Sequence, residues 1–221
     1  MKAFEEVIGY RFKDISLLET ALTHSSYASE HKSATNNERL EFLGDSVLAT
    51  VVTEFLYKNR PDMREGDMTR VRAELVCGRS LITIGMELRL YDYIRFGRGE
   101  LKTGSSNSKT TADALEAVFA AIYLDGGYAA VKPIIERLVL TRIEEADFNS
   151  YDYKTALQEH CQKAPGSELM YKCVEESGPA HRRVFRVEMI INGESYGFGE
   201  GSSKKAAEKA AARVAYQKLV K

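Results

Sequence analysis

The 221-residue sequence contains only three cysteines. Because Cys77, Cys161 and Cys173 are widely spaced and form no CxxC pair, neither a disulfide framework nor a structural zinc site is expected. Long apolar runs are missing too: the nearest to a membrane span, residues 117–124, has an acid on each side. The N-terminus is charged and shows no secretory signal. These absences predict a cytoplasmic protein in a reducing compartment, with no membrane attachment.

An excess of charge of either sign is also missing. Lys and Arg total 31 against 32 Asp and Glu, which gives a net charge of −1. Taken whole, this balance argues against nucleic-acid binding, since such proteins are usually basic. The two parts of the chain differ, however. Residues 151–221 hold 12 basic and 9 acidic side chains, whereas residues 1–150 hold 19 and 23. Opposite net charges of +3 and −4 indicate that the two parts have different roles.

Hydrophobic residues make up 44% of the chain, enough for a folded core, and their spacing changes near residue 147. Before that point, apolar residues recur at helical spacing over 40–56, 75–90 and 112–124. Residues 1–147 are therefore predicted to form an all-α helical domain. Residues 148–151 are interpreted as a linker between this domain and the next.

The pattern after the linker predicts a second, small α+β domain over residues 152–221, which makes the chain a multidomain protein. Apolar residues alternate with polar ones in this part, and Asn192-Gly193 is a strong hairpin signal. The predicted elements follow in the order α-β-β-β-α, over residues 152–162, 168–175, 182–191 and 194–199, with a last helix capped by Ser202 or Ser203.

Acidic side chains gather on one face of the predicted helix that follows Asn37. At 100° per residue, Glu38, Glu41 and Asp45 lie within about 60° of one another and away from the apolar stripe. Three acids on one face repel one another, and a divalent cation would remove that repulsion. The alternative is that they are simply solvated, as acids on helix surfaces usually are.

A second predicted helix carries Asp113 and Glu116, which share a face because they are three residues apart. Ala120 continues that face, so the face is expected to be uncrowded. Carboxylates from two packed helices form an oxygen-only site of the kind that Mg²⁺ or Mn²⁺ prefers, whereas zinc fits poorly without nearby histidine. The two acidic helices together predict a site for Mg²⁺, with Mn²⁺ as a substitute.

Two other residues of the first acidic helix depart from its pattern. Gly44 is placed mid-helix, where glycine costs about 1 kcal/mol relative to alanine. Its lack of a side chain is expected to let another helix or a ligand approach closely. Phe42 lies opposite the apolar stripe, among small and hydroxyl side chains. A single exposed aromatic is ordinary, and the alternative is a contact with a partner subunit.

The basic domain has a candidate phosphate site at its last helix. Lys204 and Lys205 stand at the start of that helix, directly after Ser203. Backbone amides and the helix dipole at this end favour an anion, so a bound phosphate would make these two cations stabilising. A solvated basic turn is the alternative.

Other residues of the basic domain suit contacts with duplex RNA. Gln158 and Gln162 lie one turn apart on its first helix, where they can exchange hydrogen bonds with 2′-hydroxyl groups in a minor groove. The turn at 178–181 presents His181 between two strands. Helix, turn and last-helix N-terminus would then contact two minor grooves and the major groove between them in A-form RNA.

Two segments resemble known families. The segment NERLEFLGDS at 37–46 resembles the signature of the ribonuclease III family. Residues 152–221, with GPAH at 178–181 and GSSKKAAE at 201–208, resemble a double-stranded RNA-binding domain. The resemblance covers nearly the whole chain, in the domain order of the bacterial enzymes. It departs from the family at Thr110 and Thr111, where aliphatic residues are common.

The resemblance implies an Mg²⁺-dependent endoribonuclease that hydrolyses both strands of double-stranded RNA and leaves 5′-phosphates and short 3′ overhangs. It also implies processing of ribosomal precursors and other structured RNAs by a homodimer that needs no small-molecule cofactor. By motif position, the resemblance implies metal ligation by four acids: Glu41, Asp45, Asp113 and Glu116. It implies the main catalytic roles for Asp45 and Glu116. It also implies that Glu38 and Glu65 border the cleft and that Phe42 contacts the partner subunit.

The residues alone leave two other functions open. One is a duplex-RNA-binding protein whose helical domain is inactive, which the presence of all four acids disfavours. The other is a metal hydrolase acting on small phosphorylated molecules, which the absence of histidine from the acidic motifs disfavours. Whether one cation or two act in each site is also open.

Overall fold

The computed structural model describes residues 1–99, 109–143, 146, 153–162, 167–179 and 182–219, without the side chains of Glu159 and Gln162. It divides into two units, Met1–Ser150 and Tyr151–Lys221, each with its own hydrophobic core. The predicted linker at 148–151 lies outside the described residues, so its limits stay a prediction. None of the described helices combines the length and the hydropathy needed to cross a bilayer.

The first unit is helical, as the apolar spacing predicts. Its helices are α1 (Lys2–Ile8), α2 (Ile15–Ala21), α3 (Ser25–Glu30), α4 (Glu38–Asn59), α5 (Glu65–Val76), α6 (Gly78–Glu87), α7 (Lys109–Gly126) and α8 (Tyr128–Val139), with 3₁₀ turns at Leu90–Tyr93 and Leu140–Arg142. The predicted helical stretch 75–90 is interrupted at Cys77, whose backbone is extended at φ −66° and ψ 151°. Apolar spacing missed this break because Leu75 and Leu81, on either side of it, are both buried.

Helix α7 is the central helix of this unit and packs against α2, α4, α6 and α8. From residue 111 to residue 122, every residue is buried except Asp113 and Glu116. Ala120, which was expected to continue an uncrowded face, is fully buried because neighbouring helices cover that side. The two acids are therefore held by a helix whose remaining surface is fixed in the core.

Helix α4 meets α7 at Gly44, which is buried. A Cβ atom at this position would lie 1.9 Å from the carbonyl oxygen of Glu116 and 2.4 Å from its carbonyl carbon. Any side chain would therefore force the two backbones apart. The expected close approach at Gly44 is confirmed, and the approaching element is a helix.

The second unit has the predicted order of a helix, three antiparallel strands and a helix. Its elements are α9 (Tyr153–Gln162), β1 (Leu169–Ser177), β2 (Val184–Ile191), β3 (Glu194–Gly201) and α10 (Lys204–Leu219), with strand order β1-β2-β3. One face of β2, carrying Val187, Met189 and Ile191, is buried with Leu157 of α9 and a set of alanines on α10. The small side chains let α10 lie close to the sheet.

The hairpin and helix-cap signals of this unit are confirmed. Asn192 and Gly193 both have positive φ, 53° and 81°, as a two-residue type I′ hairpin requires. Of the two candidate caps, Ser203 is the one used, since its Oγ accepts from the Ala206 N–H at 3.2 Å. Cys173 on β1 is exposed, and the register of β1 with β2 shifts between Cys173 and Glu175.

The contact at Gly44 predicts an unusually large effect for a small substitution. Gly44→Ala should lower the free energy of unfolding by about 1–3 kcal/mol, because the added methyl group meets the Glu116 backbone rather than a movable side chain. Urea or thermal unfolding measures the change.

Gly66→Ala is the matched control, since Gly66 is also helical and a Cβ there meets nothing within 4 Å. It should leave stability unchanged or raise it by up to about 1 kcal/mol through helix propensity. Equal stabilities for the two variants would contradict the close contact.

Candidate active site

Helices α4 and α7 border a cavity of about 560 Å³ in the first unit. Its lining residues are His24, Ser25, Asn37, Glu38, Glu41, Phe42, Asp45, Lys109, Thr110, Asp113 and Glu116. The cavity thus contains all four acids for which metal ligation was predicted. These four acids lie together because the contact at Gly44 places the acidic turn of α4 beside the acidic turn of α7.

Three of these acids form a compact group. Glu41, Asp113 and Glu116 each offer a carboxylate oxygen, and these three oxygens all lie within 4.8 Å of one another. Around an octahedral Mg²⁺ with bonds of about 2.1 Å, ligand oxygens are about 3–4 Å apart. Small side-chain rotations would therefore bring this all-oxygen set to ligand distance, and the residues fit a hard divalent cation. Asp45 lines the same cavity as an exposed side chain outside this group.

The electrostatics of the group are unfavourable without a cation. Burial, together with the negative charges of Asp45, Asp113 and Glu41, raises the pKa of Glu116 to about 8. The pKa of Glu41 is also raised, first by burial and then by Asp113. At neutral pH, full ionisation of the carboxylates in this cluster is therefore unfavourable. A bound cation would stabilise the ionised carboxylates, so raised pKa values without a cation are expected at a metal-binding site.

A lysine lies next to two of the acids. Lys109 Nζ is 3.2 Å from Asp113 Oδ2 and 3.9 Å from Glu41 Oε1. The hydrogen bond to Asp113 is the main cause that raises the pKa of Lys109. Its side chain is 84% exposed, so it can leave the carboxylates with little loss of packing. The ammonium group partly offsets the charge of the cluster.

The other predicted residues of the first unit have different surroundings. Glu38 is exposed and lines the cavity, and its charge makes a small contribution to the raised pKa of Glu41. Glu65 is exposed at the start of α5, where it accepts a hydrogen bond from Thr69 at 3.0 Å. Among the described residues, Glu65 is not part of the cavity lining. Phe42 is 80% exposed at the cavity edge.

The predicted RNA contacts of the second unit are exposed where they are described. Gln158 lies on the surface of α9, and Lys204 and Lys205 are exposed in the first turn of α10, next to the cap Ser203. His181 and the side chain of Gln162 lie outside the described residues.

Lining residues to which sequence reasoning assigned no role include His24, Ser25, Asn37 and Thr110. Asn37 stands inside the recognised segment, but no chemistry was assigned to it. Its position depends on a tertiary contact, since its N–H donates to the Thr23 carbonyl at 3.0 Å. That hydrogen bond joins the start of α4 to the residue before His24. No local pattern reveals such a pairing.

Comparisons with known proteins agree with this arrangement. Residues 14–143 match a family model described as Ribonuclease-III-like, and residues 153–219 match the double-stranded RNA binding motif. A protein named Ribonuclease 3 from Caldanaerobacter subterraneus subsp. tengcongensis is 46% identical over 219 residues, which covers 97% of this chain and 96% of that protein. Ribonuclease 3 of Listeria monocytogenes is 40% identical over 220 residues, which covers 98% and 96%.

A solved structure is similar to the first unit. It is the nuclease domain of ribonuclease III from Campylobacter jejuni, described for structural flexibility in a region involved in dimer formation. The two chains are 41% identical with a TM-score of 0.58, covering 62% of this chain and 94% of that one.

The raised pKa of Glu116 predicts that neutralising this residue stabilises the metal-free protein. In the wild type, the folded state holds a proton up to about pH 8, whereas the unfolded state releases it near 4.5. The stability contribution of Glu116 is therefore lost as pH rises from about 4.5 to about 8. Glu116→Gln has no such loss. After discounting for solvent at the open cavity, we expect a gain of about 1–2 kcal/mol at pH 8 in EDTA.

Thermal unfolding in EDTA between pH 5 and pH 8 measures this gain. Glu6→Gln, at an exposed position of α1, is the control and should change stability by less than about 0.5 kcal/mol at every pH. Added Mg²⁺ should stabilise the wild type more than Glu116→Gln. A pH-independent difference between wild type and Glu116→Gln would contradict the raised pKa of Glu116.

Proposed function

The chain belongs to the ribonuclease III family, and we propose that it hydrolyses phosphodiester bonds in both strands of double-stranded RNA, leaving 5′-phosphate ends and short 3′ overhangs. The observation that carries this proposal is the convergence of Glu41, Asp113 and Glu116 on one cavity, in a chain that also has a double-stranded RNA binding motif. Ribosomal precursors and other structured RNAs of the cytoplasm are the proposed substrates.

We assign Glu41, Asp113 and Glu116 as the main ligands of Mg²⁺, with Asp45 as the fourth acid of the site. When bound there, the ion would lower the pKa of a water molecule and neutralise the charge of the attacked phosphate. Mn²⁺, which prefers the same oxygen ligands, is the expected substitute.

The acids of the cavity differ in how firmly they are held, in exposure and in pKa. Asp113 and Glu116 project from a helix fixed in the core, so their positions change little when substrate enters. The pKa of Glu116 is raised to about 8, mainly by burial, so this acid depends strongly on a cation for ionisation at neutral pH. Asp45 is exposed and close enough for its charge to act on Glu116. We therefore assign Asp45 and Glu116 to orienting the attacking water, and Glu38 and Glu65 to the border of the cleft.

The second unit would supply most of the affinity for RNA. Gln158 is exposed on α9, where its amide can contact 2′-hydroxyls in a minor groove. Lys204 and Lys205 are exposed at the start of α10, where the helix dipole attracts phosphate. Gln162 and His181 are proposed to extend these contacts, as their sequence positions suggest. The acidic cavity repels RNA by itself, so a separate basic unit resolves the conflict between metal binding and substrate binding.

The proposed assembly is a homodimer in which Phe42 is the main contact. Phe42 is 80% exposed at the edge of an apolar cavity of about 760 Å³ that is also lined by Leu17, Leu40, Leu43 and Leu124. In a two-fold dimer each Phe42 would enter the partner's copy of this cavity, because such interfaces pair one patch with itself. Since Phe42 lies between this cavity and the acidic one, the contact would also place two acidic cavities close together.

The activity is tested with long duplex RNA and mapping of the product ends. The wild type should cut both strands in Mg²⁺ and not in EDTA. Asp45→Asn and Glu116→Gln should each slow cleavage by on the order of 100-fold or more while duplex binding persists, because the basic unit is unchanged.

Glu6→Gln is the control and should cleave at the wild-type rate. RNA binding without cleavage in either Mg²⁺ or Mn²⁺ would indicate a binding protein instead. Hydrolysis of nucleotides but not of duplex RNA would indicate a small-molecule hydrolase. Cleavage by both acid variants at the wild-type rate would contradict the catalytic assignment.

The dimer predicts a concentration-dependent effect of Phe42. Phe42→Ala should weaken self-association by on the order of 1,000-fold, since truncating a buried aromatic anchor costs about 2 kcal/mol and the symmetric interface contains it twice. Sedimentation equilibrium measures the dissociation constant.

Tyr57→Ala is the matched control, because Tyr57 is a 75% exposed aromatic on the same helix and does not line the apolar cavity. An equal effect of both substitutions, or of neither, would argue against Phe42 as the main contact.

A further inference from the structure

The acidic cavity has a second group of lining residues that carry no negative charge. His24 and Ser25 come from the start of α3, and Asn37 precedes α4. These residues lie on the same cavity as the carboxylates, and the proposed metal site does not use them. A phosphodiester that approaches four carboxylates needs hydrogen-bond donors as well as a cation, which gives these side chains a role.

The tautomer of the His24 ring is set by its neighbours. The Ser26 N–H donates to His24 Nδ1 at 3.3 Å, and Ser26 Oγ lies 2.8 Å from the same nitrogen. Ser26 Oγ in turn accepts from the Gly97 N–H at 3.0 Å, so its own proton points to Nδ1. A nitrogen that accepts from a backbone amide holds no proton. The neutral ring therefore carries its proton on Nε2.

The ring is also held in position. It packs against Phe96 with ring centroids 5.4 Å apart, while Nδ1 is tied to Ser26. Within the described residues, no hydrogen bond engages Nε2. His24 therefore presents a fixed Nε2–H donor in the lining of the acidic cavity.

Asn37 provides an independent observation. Only 3% of this residue is exposed, yet in the described part of the chain its Nδ2 has no hydrogen-bond partner. Although Asn37 occupies the N-cap position of α4, its side chain does not cap the helix. Its backbone is engaged on both sides, with Thr23 and with Glu41. A buried amide donor without a partner is unfavourable, and its place in the cavity lining indicates that a ligand supplies the acceptor.

We propose that His24 and Asn37 are substrate-contacting residues that donate hydrogen bonds to backbone oxygens of the RNA strand in the acidic cavity. The acceptor is a non-bridging phosphate oxygen or a ribose 2′-hydroxyl next to the scissile bond. Neutral donors suit this place because nearby carboxylates would pair with a cationic side chain, as they do with Lys109. The proposal rests on the proposed cleavage of duplex RNA.

The test compares single-turnover cleavage by His24→Ala and Asn37→Ala at saturating enzyme. Each should slow the cleavage step by about tenfold, the effect of losing one good hydrogen bond, while the half-saturating RNA concentration stays nearly constant. His31→Ala and Asn59→Ala are the matched controls, since these residues lie outside the cavity lining, and they should cleave like the wild type.

Modified substrates separate a contact from a structural effect. Duplexes carry a single 2′-deoxy or methylphosphonate substitution at each nucleotide flanking the scissile bond. In the wild type, the contacted oxygen is identified by a loss of about tenfold, and the variant lacking its donor should show no further loss at that position. Sensitivity to 2′-deoxy identifies a ribose contact, and sensitivity to methylphosphonate identifies a phosphate contact.

The proposal would be overturned if, at every modified nucleotide, the rate losses caused by the protein variant and by the RNA modification multiplied. Wild-type rates for both variants would also overturn it. His24→Gln and Asn37→Asp replace the alanine variants if thermal unfolding shows that those do not fold. Asn37→Asp keeps the shape and removes the donor, so it should be at least as slow as Asn37→Ala, whereas His24→Gln keeps an N–H donor and should recover part of the rate. If the wild type itself cleaves no duplex RNA, the proposed function has failed, and the inference fails with it.

Discussion

The contact between the backbones of α4 and α7 at Gly44 determines where every acid of the cavity lies. With no side chain at this position, the two helices approach until a Cβ atom would be 1.9 Å from the Glu116 carbonyl oxygen. Glu41 and Asp45 lie within one turn of Gly44 on α4, and Asp113 and Glu116 occupy the opposing turn of α7. The separation of the carboxylates is therefore set by helix packing and not by flexible loops.

This packing holds together groups that repel one another. The pKa values of Glu41 and Glu116 are raised because burial and the charges of neighbouring carboxylates both disfavour the ionised form. The core position of α7 supplies the stability that keeps them there, since every residue from 111 to 122 other than Asp113 and Glu116 is buried. A cation lowers the free-energy cost of ionising these carboxylates, and hydrogen-bond donors without a negative charge do not raise it. Cations and such donors therefore both suit this cavity.

The sequence predicted those parts that depend on local pattern. Helical spacing gave the all-α character of the first unit, and the positive φ values of Asn192 and Gly193 agree with the hairpin signal. The acids of α4 and α7 were recognised because their spacing places each set on one helix face. The same local pattern missed the break at Cys77, where buried residues on both sides hide the interruption.

Tertiary contacts account for what remained unpredicted in the site. Glu65 belongs to a separate helix, and its described surroundings do not include the cavity, so its proposed place at the cleft depends on the assembly. His24 and Asn37 reach the acids through a backbone hydrogen bond from Asn37 to Thr23, fourteen residues earlier in the chain. Whole-chain net charge was equally uninformative, because it adds an acidic unit to a basic one. Separating the charges lets one unit attract phosphate while the other concentrates carboxylates for a cation, which a single surface of mixed charge would do poorly since its lysines and acids would pair with each other.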